Sequence, residues 1–411
     1  LAMPIVPVHD LTIKQGDLII GTHGRSFYVM DNISSLRQMS DAVLAADAHV
    51  FKPRDVYRAN FGGGFFGGGG GGGGAGQGSV PVNPVAANPP NGPALQFWLK
   101  GANQDVTLSI LDSVGNAIRV FTSKQDSMQV ADSLARDARR KAREDSLRAA
   151  GVPADSIQRL MRLPEPPTQT DFEAGFRPTS PPRVANRRGV NTFTWDMRFA
   201  APHAFRGMIL WAAGAQGVMV PPGTYQVRVA VNGKVAGTQR FRLLPDPRVK
   251  GVTPAHYAEQ FKFLQRVSGR FGQANEAVST IRYVRGEVDD RRGKLSGEAR
   301  TGFDQHADAL LPELASVEDS VYQTKSRSGQ DPLNYPIRLN NKLGALMGVA
   351  GSSDGRPTAQ TYQVFDLLSL QLDRELTRMR VAMSAHLAPM NGILKNAGQP
   401  EIIANRNRLV P

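Results

Sequence analysis

The chain has no cysteine among its 411 residues. Disulfides, thiolate metal sites and a cysteine nucleophile are therefore excluded, while the compartment stays open, since exported proteins often lack disulfides. Aromatic residues make up only 7% of the chain. No apolar run reaches the length of about 18 residues that a spanning helix needs. Acidic side chains are scarce relative to basic ones: 36 Asp and Glu stand against 49 Lys and Arg, a net charge of +13. That field favours anionic partners, whether nucleic acid, acidic lipid headgroups or an acidic protein. Leu1 is not followed by a basic and then an apolar leader region. A removed leader or a longer parent product is the expectation.

Motifs that carry chemistry are equally sparse. The seven histidines are scattered, and no H-x-x-x-H, H-E-x-x-H or E-x-x-H occurs. No carboxylate pair stands out for glycoside hydrolysis. The sequence thus predicts no catalytic residue, no cofactor and no metal site.

What is present is patterning. Around Asn232-Gly233 two runs alternate, with Tyr225, Val227, Val229 and Val231 on one side and Gln226, Arg228 and Ala230 on the other. This is the period of a half-buried strand, and Asn-Gly supplies the two positive φ angles of a type I′ hairpin. Leu95, Phe97 and Leu99 alternate likewise, as do Val106, Leu108 and Ile110, with Phe193 and Trp195 sharing a face further on. These strands predict a β-sandwich over 94–247, with Trp195 and Tyr225 as core anchors. Residues 123–162, rich in Ala, Arg and Asp, read as a helical insertion broken near Gly151-Val152-Pro153. The thin apolar stripe of that insertion (Met128, Ala131, Leu134, Ala138) predicts light packing, and Arg139, Arg140, Lys141 and Arg143 form a basic cluster. No aromatic side chain lies among them to stack on bases, so nucleic acid is not the expected partner.

Upstream, residues 1–59 hold short strands and a helix after Ser40, and 60–93 form a linker, first glycine-rich and then proline-rich. After Pro254 the period becomes 3.6. Four amphipathic segments, about 256–288, 296–325, 337–349 and 358–386 trailing into 394, predict an antiparallel helical bundle over 248–411. The fold class expected is α+β and multidomain: an Ig-like β-sandwich followed by an antiparallel α-helical bundle. Met208, Ile209, Leu210 and Trp211 lie between strands. They form either a loop over the sandwich end or an exposed docking patch. Asp354-Gly355-Arg356-Pro357-Thr358 reads as a turn and a helix start.

Three strings carry a resemblance. His9-Asp10-Leu11, then Asp17–Ser26 (DLIIGTHGRS), then an aromatic strand ending at Asp31 resemble the last blade of sortilin-like BNR-repeat β-propeller proteins, exported bacterial proteins described as glycosyl hydrolase-like. Asp105–Arg119, Gly189–Asp196 and Pro221–Val229 resemble the Ig-like domain of flagellar hook-capping proteins. Arg338–Leu343 and Asp354–Gln360 resemble the helical C-terminal region of the propeller family. The resemblance implies a blade, linker, Ig-like domain and helical region in that order. One blade is not a propeller, and no Asp-box occurs. His9, His23, Arg25 and Asp31 read as loop and strand-end hydrogen-bonding groups.

The function expected is a non-catalytic extracytoplasmic interaction protein. It would be an accessory subunit, periplasmic or extracellular, docked on a larger assembly at a membrane, for instance an electron-transfer or photosynthetic complex. The candidate docking surface is Arg139, Arg140, Lys141 and Arg143 with Met208, Ile209, Leu210 and Trp211, and anionic lipid is a further contact. The alternative is the C-terminal part of a glycosyl hydrolase-like or carbohydrate-binding protein.

Overall fold

The computed structural model describes residues 5–59, 91–125, 127–162, 176 and 181–404. The expected linker at 60–93 lies outside them except for its last three residues. The chain is mixed α+β, with three sheets and eight α-helices among the described residues.

The first sheet holds β1 (Val8–Lys14), β2 (Asp17–Thr22) and β3 (Phe27–Met30), antiparallel in that order. Gln15 and Gly16 join β1 to β2 with φ of 51° and 86°, the left-handed pair of a type I′ turn. Asp17 ties this sheet to the chain beyond it, accepting from Asn32 N and from Arg54 Nη1, each at 2.8 Å. Two five-residue helices come next, α1 (Ser34–Gln38) and α2 (Asp41–Ala45). Ser40 caps the second, its hydroxyl accepting from Val43 N at 3.4 Å.

Two further sheets share one core. The smaller has the order β4 (Ala48–Val50), β6 (Ala94–Leu99), β9 (Gly189–Thr194). The larger runs β5 (Val56–Arg58), β11 (Lys234–Pro245), β10 (Gly223–Val231), β7 (Val106–Leu111), β8 (Ala117–Thr122). The β10–β11 turn has Asn232 and Gly233 at φ 50° and 80°, as the Asn-Gly pair requires. Alternation sends Leu95, Phe97, Leu99, Val106, Leu108, Ile110, Val227 and Val229 inward, around a fully buried Trp195. Trp195 Nε1 donates to Arg198 O at 3.1 Å and the Tyr225 hydroxyl to Pro221 O at 2.7 Å, so neither polar tip is buried unpaired. One assignment differs from the sequence reading. Residues 48–58 belong with these two sheets, because β4 pairs antiparallel with β6 and β5 parallel with β11. Strands of three residues carry no period by which to detect them.

The insertion is α3 (Ser127–Ala149) and α4 (Ala154–Arg162). Gly151, at φ 72°, ends α3, and Val152 N reaches back to Leu147 O at 3.1 Å. The remaining helices are α5 (Pro254–Lys294), α6 (Gly297–Val321), α7 (Leu339–Ala350) and α8 (Ala359–Asn396). Thr253 and His256 make a capping box at the start of α5, with Pro254 at its first position. α8 continues through Pro389, where Leu387, Met390 and Leu394 are buried and packing holds a turn that lacks one N–H donor. Phe263, Phe271, Val278, Phe303, Leu310, Leu343 and Leu372 belong to a single core shared by these four helices. No helix among the described residues is long and apolar enough to cross a membrane.

Candidate functional site

The basic cluster sits on α3, and its setting follows from the helix's composition. Leu134, in the apolar stripe of α3, is 65% exposed, and Val130 is 41% exposed. The side chains of Met128 and Ala131, also in that stripe, lie outside the described residues. Arg139, Arg140 and Lys141 are exposed. Arg143 is half-buried and donates to Leu160 O on α4 at 3.5 Å, bracing the two helices against each other. Arg148 is paired with Glu144 one turn before it, at 2.6 Å. Three cations therefore face solvent along one stretch of helix, while Arg143 is turned inward.

The other half of the expected docking surface has a different fate. Met208 is 1% exposed and Ile209 9%, and Leu210 is half-buried; of the four, only Trp211 keeps substantial exposure, at 37%. The segment covers the helices, not the end of the two sheets. Met208 and Phe205 join the helical core, Ile209 N donates to the Tyr322 hydroxyl at 3.2 Å, and Trp211 exchanges hydrogen bonds with the Asn341 amide at 2.7 and 2.8 Å. Arg282 lies over both Phe205 and Tyr322, and its guanidinium is held by the buried Glu318, which also binds Arg285. An exposed apolar patch at 208–211 is corrected to an internal contact between the sheet region and the helices.

The same junction holds the most buried ion pair among the described residues. Arg58, at the end of β5, meets Asp354, in the loop before α8, at 2.5 Å, with side chains 7% and 6% exposed. Arg58 Nε also donates to Val220 O at 2.6 Å, and the Tyr257 hydroxyl donates to the second Asp354 oxygen at 3.1 Å. Burial and the Asp354 carboxylate push the Tyr257 phenol up to about 12, so this donor stays protonated through neutral pH. Gln260 fixes the loop by donating to Ala350 O and Ser353 O at 2.8 and 2.6 Å. The Thr358 hydroxyl accepts from Thr361 N and starts α8, so 354–358 is the turn and helix start the sequence implies. The Arg58, Asp354, Tyr257 and Gln260 side chains are thus all engaged by other groups of the protein.

Other chemical groups come together in ways the sequence hid. His203 Nε2 lies 2.9 Å from Ser279 Oγ, the spacing of a nucleophile and its base. Ser279 sits inside α5, however, where the neighbouring N–H groups serve the helix and are not free to stabilise an oxyanion. His306 on α6 and His386 on α8 face each other, Nδ1 to Nδ1, at 3.3 Å. Their separation in sequence gives no signal; only the pairing of the two helices brings them together. Among the described residues no three His, Asp or Glu converge as a metal site. A shallow groove of about 540 Å³ runs along α6, lined by Pro312, Ser316, Asp319, Ser320 and Arg338, without convergent acids or imidazoles.

Several carboxylates are held below their ordinary range by cations: Asp246 at about 2 by Arg248, Asp304 by Arg292 and Arg300, Asp55 by Arg242, and Asp290 by Lys294. Their pKa is lower folded than unfolded, so the unfolded chain binds more protons in the acid range. The stability they contribute is complete above the unfolded value of about 4 and is lost as pH falls towards about 2. The urea midpoint should therefore drop steadily over that window; an unchanged midpoint would contradict these pairings.

In comparisons with known proteins, no family model, no curated protein and no solved structure matches the chain.

Proposed function

We propose that the protein is a non-catalytic interaction subunit that docks by charge, outside the cytoplasm, on the acidic surface of a larger membrane-bound assembly. The carrying observation is the stretch of α3 where the consecutive Arg139, Arg140 and Lys141 are exposed, as are Val130 and Leu134. The sheets and helices supply the frame: an Ig-like β-sandwich from the two sheets with a common core, and an antiparallel bundle from α5–α8. Their apolar side chains are used in holding those bodies together and to each other. The net charge of +13 draws the protein to an anionic surface, and α3 presents the charge at one place. An electron-transfer or photosynthetic complex with an acidic periplasmic face is a partner of this chemistry.

Each basic side chain near an anionic membrane contributes about 1 kcal/mol. The triple variant Arg139→Glu, Arg140→Glu, Lys141→Glu should therefore bind anionic membranes about a hundredfold more weakly at low salt. Co-sedimentation measures this, and equal binding by the variant would remove α3 from the docking surface.

A second reading has its own observation. The β1–β3 sheet stands apart from the other two, with Leu11, Phe27 and Val29 exposed, as a propeller blade would be without neighbours. On that reading the chain is the C-terminal part of a glycosyl hydrolase-like protein. Polysaccharide binding by this chain, lost on removal of residues 1–33, would favour it over charge-based docking.

A further inference from the structure

All seven residues of β1 are exposed, and among the described residues β2 is its one strand neighbour. The two-residue turn makes Lys14 and Asp17 a hydrogen-bonded pair, so Lys14, Thr12 and Asp10 spend their backbone groups on β2. The backbone groups of Leu11 and Ile13 then face outward. One observation confirms the direction: Leu11 N–H is taken by the carboxylate of its own neighbour, Asp10, at 2.9 Å. An open edge of this kind accepts another strand.

We infer that the occupant of this edge is β1 of a second copy, joined antiparallel about a two-fold axis through Thr12, which makes one six-stranded sheet from two chains. The sequence of β1, VHDLTIK, fits that register. With Thr12 opposite Thr12 of the second copy, each Asp10 faces the other chain's Lys14, twice by symmetry. Leu11 faces Ile13 and Ile13 faces Leu11, and these residues supply the outward N–H and C=O groups that close the ladder. Exposure is 59% at Leu11 and 50% at Ile13, so both have apolar area to lose. The registers inside each sheet extend the pattern. Leu11 lies beside Ile20 and Tyr28, and Ile13 beside Leu18 and Met30. Pairing at this register therefore lines up two unbroken cross-strand rows of apolar side chains on one face of the joined sheet. In the single chain the Asp10 carboxylate covers the edge; in the pair it turns to lysine and Leu11 N–H passes to a carbonyl. This inference goes beyond charge-based docking and does not depend on it, since α3 plays no part.

The test uses two single variants of the full chain, Asp10→Lys and Lys14→Asp, at about 0.15 M salt, where the repulsion between two basic chains is screened beyond about 8 Å. Sedimentation equilibrium should show the native chain reaching dimer mass with rising concentration. Each variant places like charges opposite each other at both symmetric positions and should associate at least about tenfold more weakly. Mixed in equal amounts, the two variants restore opposite charges at both positions. The lysine introduced in one chain faces the aspartate introduced in the other, and the unchanged Lys14 of the first faces the unchanged Asp10 of the second. Dimer mass should then return. Circular dichroism checks that each variant is folded, and the exposure of both sites makes that the expected result. A native chain that stays monomeric up to about 1 mM, variants that associate like it, or a mixture that fails to recover would each overturn the inference.

Discussion

Replacing Arg58 with alanine should lower the stability of the full chain by about 3–5 kcal/mol. The size comes from the group left behind, since Asp354 would stay with its side chain 6% exposed and would lose its cation. Tyr257 still donates to it, but one neutral hydroxyl does not offset the desolvation of a carboxylate. Val220 O would lose its donor as well. The double variant Arg58→Met, Asp354→Leu removes both charges together and should be less destabilised than the single change, because no unpaired ion is left. Urea unfolding of the two variants measures the difference. A loss below about 1 kcal/mol for Arg58→Ala would mean that the pair acts as an exposed salt bridge does.

Trp195→Ala should cost a comparable amount, about 3–5 kcal/mol, by leaving a large void in the core to which both sheets contribute. Trp195 is fully buried and packs edge-on against Tyr225 and Phe241, at ring distances of 5.7 and 6.3 Å. Its indole N–H satisfies Arg198 O, so the loop after β9 loses its anchor along with the packing. Hydrogen exchange should place the loss in β6–β11, with the interior of α5–α8 protected longer. Equal loss of protection in both regions would show that the two cores unfold as one unit.

These two sites mark the limit of what is legible in the sequence. The alternation through β6, β7 and β10 identifies the inward residues, and Asn232-Gly233 identifies the turn, because each signal lies within about ten residues. Trp195 is an expected core anchor for the same reason. Arg58 carries no such signal: its strand has three residues, and its partner Asp354 lies at the far end of the chain. The apolar run at Met208–Trp211 is visible, but not which body it covers, since that depends on Tyr322 and Asn341 reaching it from the helices. On the candidate docking surface, composition locates the charge on α3, while only the packing of α4 shows that Arg143 is turned inward. His306 and His386 become neighbours through the antiparallel pairing of α6 with α8, which no motif encodes.

We propose that the exposed basic stretch of α3, and not a cleft, does the protein's work. The most direct test is release of the bound protein from anionic membranes as salt is raised from about 0.05 to 0.5 M, a range over which screening shortens from more than 10 Å to a few ångströms. The account predicts nearly complete retention at the low end, progressive release along the series, and a shallower salt dependence for the α3 triple variant. Retention unchanged across the whole range, or release identical for native and variant protein, would contradict it.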